Sequence, residues 1–94
     1  MDNWPFSEPE NLATLTVRQI VLNEMPILRV SHDADDGMWQ FLTGEQVDMA
    51  DAMLVSLRKI ATIDSSISEL ADLPLGWMAE RSAPGEPWLR QKVV

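Results

Sequence analysis

The sequence predicts an α+β fold, with a small, mainly antiparallel sheet of four to five short strands and two to three short helices. Three observations carry this. Two β-prone runs, residues 27–32 and 38–43, bracket the turn Asp33-Ala34-Asp35-Asp36-Gly37, a hairpin pattern. Helical spacing of apolar residues is confined to short segments. Turn signals separate short elements, and no internal repeat is visible. The 94 residues fit one domain, 1–94, with irregular termini at 1–10 and 83–94.

The elements follow in chain order. Pro5 and Pro9 disfavour regular structure at the start, and Trp4 and Phe6 are expected to pin this segment to the body. Residues 11–15 suit a short strand. Thr16, with Gln19 three residues on, reads as a capping box opening a helix with Val17, Ile20, Val21 and Glu24 on one face. Met25-Pro26 ends it, because proline pushes its predecessor out of the α region. In the hairpin, period-two alternation puts Leu28, Val30, Trp39 and Phe41 on the core face and Arg29, Ser31 and Gln40 on the other. Gly37 is expected to supply a positive φ at the turn exit, and Gly44 to end the second strand.

Residues 45–52 suit a short, weakly amphipathic helix through Val47 and Ala50. Met53, Leu54 and Val55 read as a buried strand. Ser56 caps a turn carrying Leu57, Ile60 and Ala61, and Ser66 with Glu69 forms a second capping box. Ile63, Ile67, Leu70 and Ala71 share that helix's face. Leu73-Pro74 stops it, and residues 75–81 form a last strand with Leu75, Trp77 and Ala79 inward. A sheet covered on one face leaves the other to solvent or a partner.

Composition excludes several functions. Fifteen acids against seven bases give a net charge of −8, which disfavours phosphate neutralisation and hence nucleic-acid binding. No run approaches the length of a membrane span, so no membrane association is expected. The absence of cysteine removes disulfides, thiolate metal sites and a cysteine nucleophile. The N-terminus lacks the pattern of a signal peptide, and a cytoplasmic location is the default expectation.

The motifs that could carry chemistry fail on spacing. Placing Gly37 at the glycine position of a calcium loop puts His32, Ala34 and Thr43 where carboxylates are needed. His32 is the sole histidine, too few for a zinc site. No serine stands in a Gly-x-Ser-x-Gly elbow, and the four scattered glycines form no nucleotide-cradling loop. No catalytic residue, metal ligand or cofactor is expected.

The charge distribution is more informative. Between Arg29 and Arg58 there is no base, while Asp33, Asp35, Asp36, Glu45, Asp48 and Asp51 contribute −6. These six acids, with Trp88 in the proline-rich tail as a surface anchor, are the candidate partner-binding residues, and the partner they suit is a basic protein.

Three stretches then carry a family resemblance. They are Pro26-Ile27-Leu28 with Asp36-Gly37-Met38-Trp39-Gln40-Phe41 and Gly44; Val55-x-Leu57-x-x-Ile60 with Ile63-Asp64-Ser65-Ser66-Ile67; and Leu73-Pro74-Leu75-Gly76-Trp77-x-Ala79-x-Arg81. Over about residues 11 to 90 the chain resembles a family of small bacterial proteins of unknown function, similar to predicted immunity proteins of polymorphic toxin systems. Asp-Gly-x-Trp-x-Phe is the most specific part. The family pattern has Asp-Pro-Ser where this chain has Asp64-Ser65-Ser66, a change that bears on helix entry. The resemblance implies no catalytic residues and a function by protein binding. The leading expectation is therefore a non-catalytic, immunity-like binding module. A homo-oligomeric structural protein, as a homodimer through its open face, is the alternative. A small-ligand binder or enzyme using His32 and neighbouring Asp residues is the third.

Overall fold

The computed structural model describes residues 3–93. The fold is α+β, built on one six-stranded mixed sheet with short helices against one face. The strands are β1 (Ala13–Val17), β2 (Arg29–His32), β3 (Trp39–Leu42), β4 (Ala52–Ser56), β5 (Trp77–Glu80) and β6 (Leu89–Lys92), in the order β4-β1-β3-β2-β5-β6. The helical elements are α1 (Arg18–Val21), α2 (Leu57–Ile63) and 3₁₀ segments at Met49–Asp51 and Ser65–Leu70. All strand pairs are antiparallel except β1 and β3, which are parallel.

The hairpin forms as the sequence indicates. β2 pairs with β3 in the register Val30 to Phe41 and His32 to Trp39, and Gly37 takes a φ of +73° at the turn exit. Val30, Trp39 and Phe41 are buried, while Leu28 lies just before β2 and is half-buried. Gly44, at a φ of +89°, follows the end of β3.

Several local expectations are overturned by tertiary packing. Thr16 does not cap a helix. Strand β1 continues to Val17, and the Thr16 hydroxyl, fully buried, donates to the Phe41 carbonyl at 2.7 Å. Thr14 behaves alike, donating to the Val55 carbonyl at 2.9 Å. Helix α1 has only four residues, and Asn23 leaves the helical region with a φ of +59°. The Met53-Leu54-Val55 run is an edge strand, so Met53 and Leu54 are exposed where burial was expected. The cap of the Ser65–Leu70 helix is Asp64, which accepts from the Ser66 amide, and Ser66 is not the cap. Leu75 is exposed, and β5 starts at Trp77. The tail expected to be irregular contributes β6.

The core fills one side of the sheet. Val30, Trp39, Phe41 and Ala79 meet Leu57, Ile60, Ile67, Leu70 and Leu73 from the helical layer. Residues 3–10 have no helix or strand but are held down. Phe6 is buried, edge-on to Trp39 at 5.5 Å, and the Trp4 indole donates to the Glu8 carbonyl. Trimming Phe6 to alanine removes this anchor. Phe6→Ala is expected to cost about 3 kcal/mol, read as a lower urea midpoint; a midpoint within error of the parent would show that the segment is not pinned.

Candidate binding surface

The sheet face opposite the helices is open except at one end, where Leu42 is buried. Strand register puts one row across it: Leu54, Leu15, Gln40, Ser31, Met78 and Gln91. A second row holds Leu42, Arg29, Glu80 and Leu89. Polar groups occupy the centre, where Arg29 pairs with Glu80 across β2 and β5 at 2.8 Å. Apolar side chains flank them.

A groove of about 420 Å³ runs along this face beside the hairpin turn. Its apolar wall includes Ala34, Met78 and Val93, and Asp33 and Asp35 rim it. The turn holds its shape through its own backbone. The Asp33 amide donates to Met38, and the Gly37 amide donates to Asp33. The Asp36 carboxylate accepts from the Met38 amide, and Asp33 accepts from Gln40 Nε2 at 2.6 Å. Asp35 and Asp36 stay exposed.

The six predicted acids do not form one surface. Strand β3 separates them by roughly 13 Å of extended chain. Asp33, Asp35 and Asp36 lie at its start, and Glu45, Asp48 and Asp51 lie beyond its end. The second group borders a smaller cleft of about 190 Å³ with Val17, Leu42 and Val47. Two of its carboxylates are engaged locally. Asp51 accepts from Arg18 and Gln19, and Asp48 accepts from the Ala50 amide. The Arg18 contact is the largest cause holding the half-buried Asp51 carboxyl below its usual range.

Trp88 is half-buried and packs against the core cluster. Its ring covers the Arg81 guanidinium at 4.2 Å, and its Nε1 is buried without a partner among the described residues. Arg81 itself is buried. Its Nε and one terminal nitrogen both donate to the Ile27 carbonyl, and other donors reach Ser66 Oγ and Asp64 Oδ2. Burial raises the Asp64 carboxyl, but hydrogen bonds from Ser66 and the Arg81 charge outweigh it and leave the group below its usual range.

His32 sits at the groove wall with its ring turned to the core side. It stacks on Trp39 at 4.0 Å, and Nδ1 donates to the Leu73 carbonyl at 2.7 Å. Nε2 lies 3.6 Å from Glu8, whose carboxylate also accepts from the Trp39 indole. For Glu8 too, burial acts upward and is outweighed, chiefly by the Trp39 hydrogen bond, so its carboxyl is lowered. The nearest carboxylate to His32 is thus brought by the N-terminal segment, whereas the sequence pointed to the adjoining Asp residues.

Sequence reasoning missed Met78 and Val93 as surface groups. The available signal was that apolar residues fall on both faces of residues 77–80, which breaks alternation. Among the described residues no three carboxylates or imidazoles converge as metal ligands. Nor, among them, is any helix long and apolar enough to cross a membrane. Comparison with protein-family models, curated proteins and solved structures finds no match.

The lowered Asp64 and Glu8 carboxyls fix a sign for acid unfolding. The native state binds fewer protons than the unfolded chain, so this stability is complete at neutral pH. It declines through the ordinary carboxylate range of about 3.9–4.3 and is lost as pH falls through the lower folded values. Asp64→Asn should flatten the dependence of the urea midpoint on pH between 5 and 3; an unchanged slope would exclude Asp64 as a source. Arg81→Met, which strands a partly exposed Asp64, should cost about 3 kcal/mol at neutral pH by the same measurement, and a loss within error would show that the guanidinium is not holding the fold.

Proposed function

We propose that this protein is a non-catalytic protein-binding module of immunity type, seating a basic, partly apolar segment of a cytoplasmic partner in the groove beside the hairpin turn. The observation that carries the reading is the groove on the open sheet face. Its apolar wall adjoins Asp33 and Asp35, and Asp36 lies on the same turn. An apolar wall desolvates the stem of a lysine or arginine while the carboxylates receive its head. The chain's net charge of −8 adds long-range attraction for such a partner. The resemblance at Asp36-Gly37-x-Trp39-x-Phe41 supports the same reading, because that stretch builds the turn and the strand beneath it.

The test is capture from extract of the source cells on immobilised protein, at low and high salt. A partner retained at low salt and released at high salt is expected. Asp35→Lys should weaken its retention about tenfold, or about 1.4 kcal/mol. Glu24→Lys, with the same charge change on an exposed position away from the groove, should retain it. No partner, or one indifferent both to salt and to Asp35→Lys, would count against the proposal.

A further inference from the structure

Strand β4 is one outer edge of the sheet and carries no charged residue within Ala52–Ser56. Leu54 is 65% exposed on it. Uncharged apolar edges offer unpaired backbone groups to another strand, and proteins ordinarily protect them with charge, proline or a covering element. The opposite edge has such protection, because β6 carries Arg90 and Lys92.

The direction of the free groups in β4 follows from its ladder. The Leu57 amide donates to the Leu12 carbonyl, one step beyond the pair Ala13 to Ser56. By antiparallel alternation, Leu57, Val55 and Met53 turn their backbone groups toward β1. Ala52, Leu54 and Ser56 turn theirs outward; the Ala52 amide already donates to the Met49 carbonyl and the Ser56 carbonyl opens helix α2, which leaves both groups of Leu54, the Ser56 amide and the Ala52 carbonyl for a partner strand. These three are symmetric about Leu54.

We infer that β4 is a homodimerisation edge, joining a second copy of this chain by antiparallel pairing centred on Leu54. In that register Leu54 exchanges both hydrogen bonds with its own copy, and Ala52 faces Ser56 of the partner subunit. The arrangement is a closed two-fold contact, because the same strand serves both sides. It joins the two sheets into one. The end charges agree with it. Asp48 and Asp51 precede β4, and Arg58 and Lys59 follow it, so antiparallel pairing sets the acidic end of each copy against the basic end of the other. Asp48 and Lys59 belong to none of the ion pairs among the described residues. Self-pairing through β6 would instead oppose like charges. The β4 edge is at the far side of the sheet from the groove between β2 and β5, so this contact leaves two grooves accessible and does not depend on what they bind.

Sedimentation equilibrium over a wide concentration range tests the inference. The chain of 10.6 kDa is expected to reach twice that mass and no more. Leu54→Pro removes the central outward amide and should weaken the dimer at least tenfold, with an unchanged near-ultraviolet tryptophan signal reporting an intact fold. Lys59→Glu should also weaken it, and Asp48→Lys added to Lys59→Glu should restore it, independently of any proline effect. A monomer at the highest soluble concentration would overturn the inference. So would growth into filaments, or a dimer that survives both Leu54→Pro and Lys59→Glu.

Discussion

One buried cation fixes the relation between the sheet and its helical layer. The Arg81 side chain is only 2% exposed, and a charge at that depth is tolerated only when its donors are satisfied. The guanidinium meets this through three separate chain regions. It donates twice to Ile27 before β2, once to Ser66 Oγ and once to Asp64, and the Trp88 ring closes over it. Arg81 follows β5 directly, and its amide donates to the Leu28 carbonyl, so the end of β5 is tied to the start of β2. Asp64 joins α2 to the 3₁₀ helix and caps the latter. The same carboxylate therefore sets the helical bend and locks it against the sheet. Moving any of these segments would leave a charge or a buried carbonyl without its partner. This gives the helical layer one seating, on one face, and leaves most of the other face open.

The N-terminal segment is held by a second, smaller hub of the same kind. Glu8 receives the Trp39 indole on its carboxylate and the Trp4 indole on its carbonyl. The stacked His32 and Trp39 rings sit beneath it, with Phe6 edge-on. A chain of this length has little core to spare. Folding an irregular segment over the aromatic end of the hairpin extends that core without another strand or helix.

What the sequence made legible was local. The hairpin and the Ser56 cap each depend on residues close in sequence, and each formed where the pattern lay, whereas the helix expected to run to Leu73-Pro74 ends at Leu70. What stayed hidden depends on distant pairing. The Thr16 hydroxyl looks like cap chemistry until strand β3, 25 residues away, supplies the buried Phe41 carbonyl it needs. The insertion of β1 between β3 and β4 has no local signal, because it pairs parallel on one side and antiparallel on the other. Strand β6 is exposed throughout, so no alternation marks it. Met53 and Leu54 have the composition of a core strand, and only the strand order reveals that they lie at an edge. The candidate surface was legible in part. The turn acids could be named, but the groove they rim is completed by Met78 and Val93, brought there by β5 and the residue after β6.

The acidic stretch shows how linear charge becomes spatial charge. Six carboxylates without an intervening base suggest one negative surface, yet a strand of four residues divides them. The two groups then meet different surroundings. At the far end of β3, Asp51 is engaged by Arg18 and Gln19, and Asp48 is spent partly on capping a helical turn. At the hairpin, Asp33 and Asp36 use backbone and amide contacts that stiffen the turn but leave their negative charge unneutralised by any base. Charge that is fixed in place and uncompensated steers a ligand better than charge on a mobile loop, because no ordering cost accompanies binding. The turn's internal hydrogen bonds thus have two effects at once. They terminate the hairpin, and they hold the Asp33 carboxylate at the rim of the groove before any partner arrives.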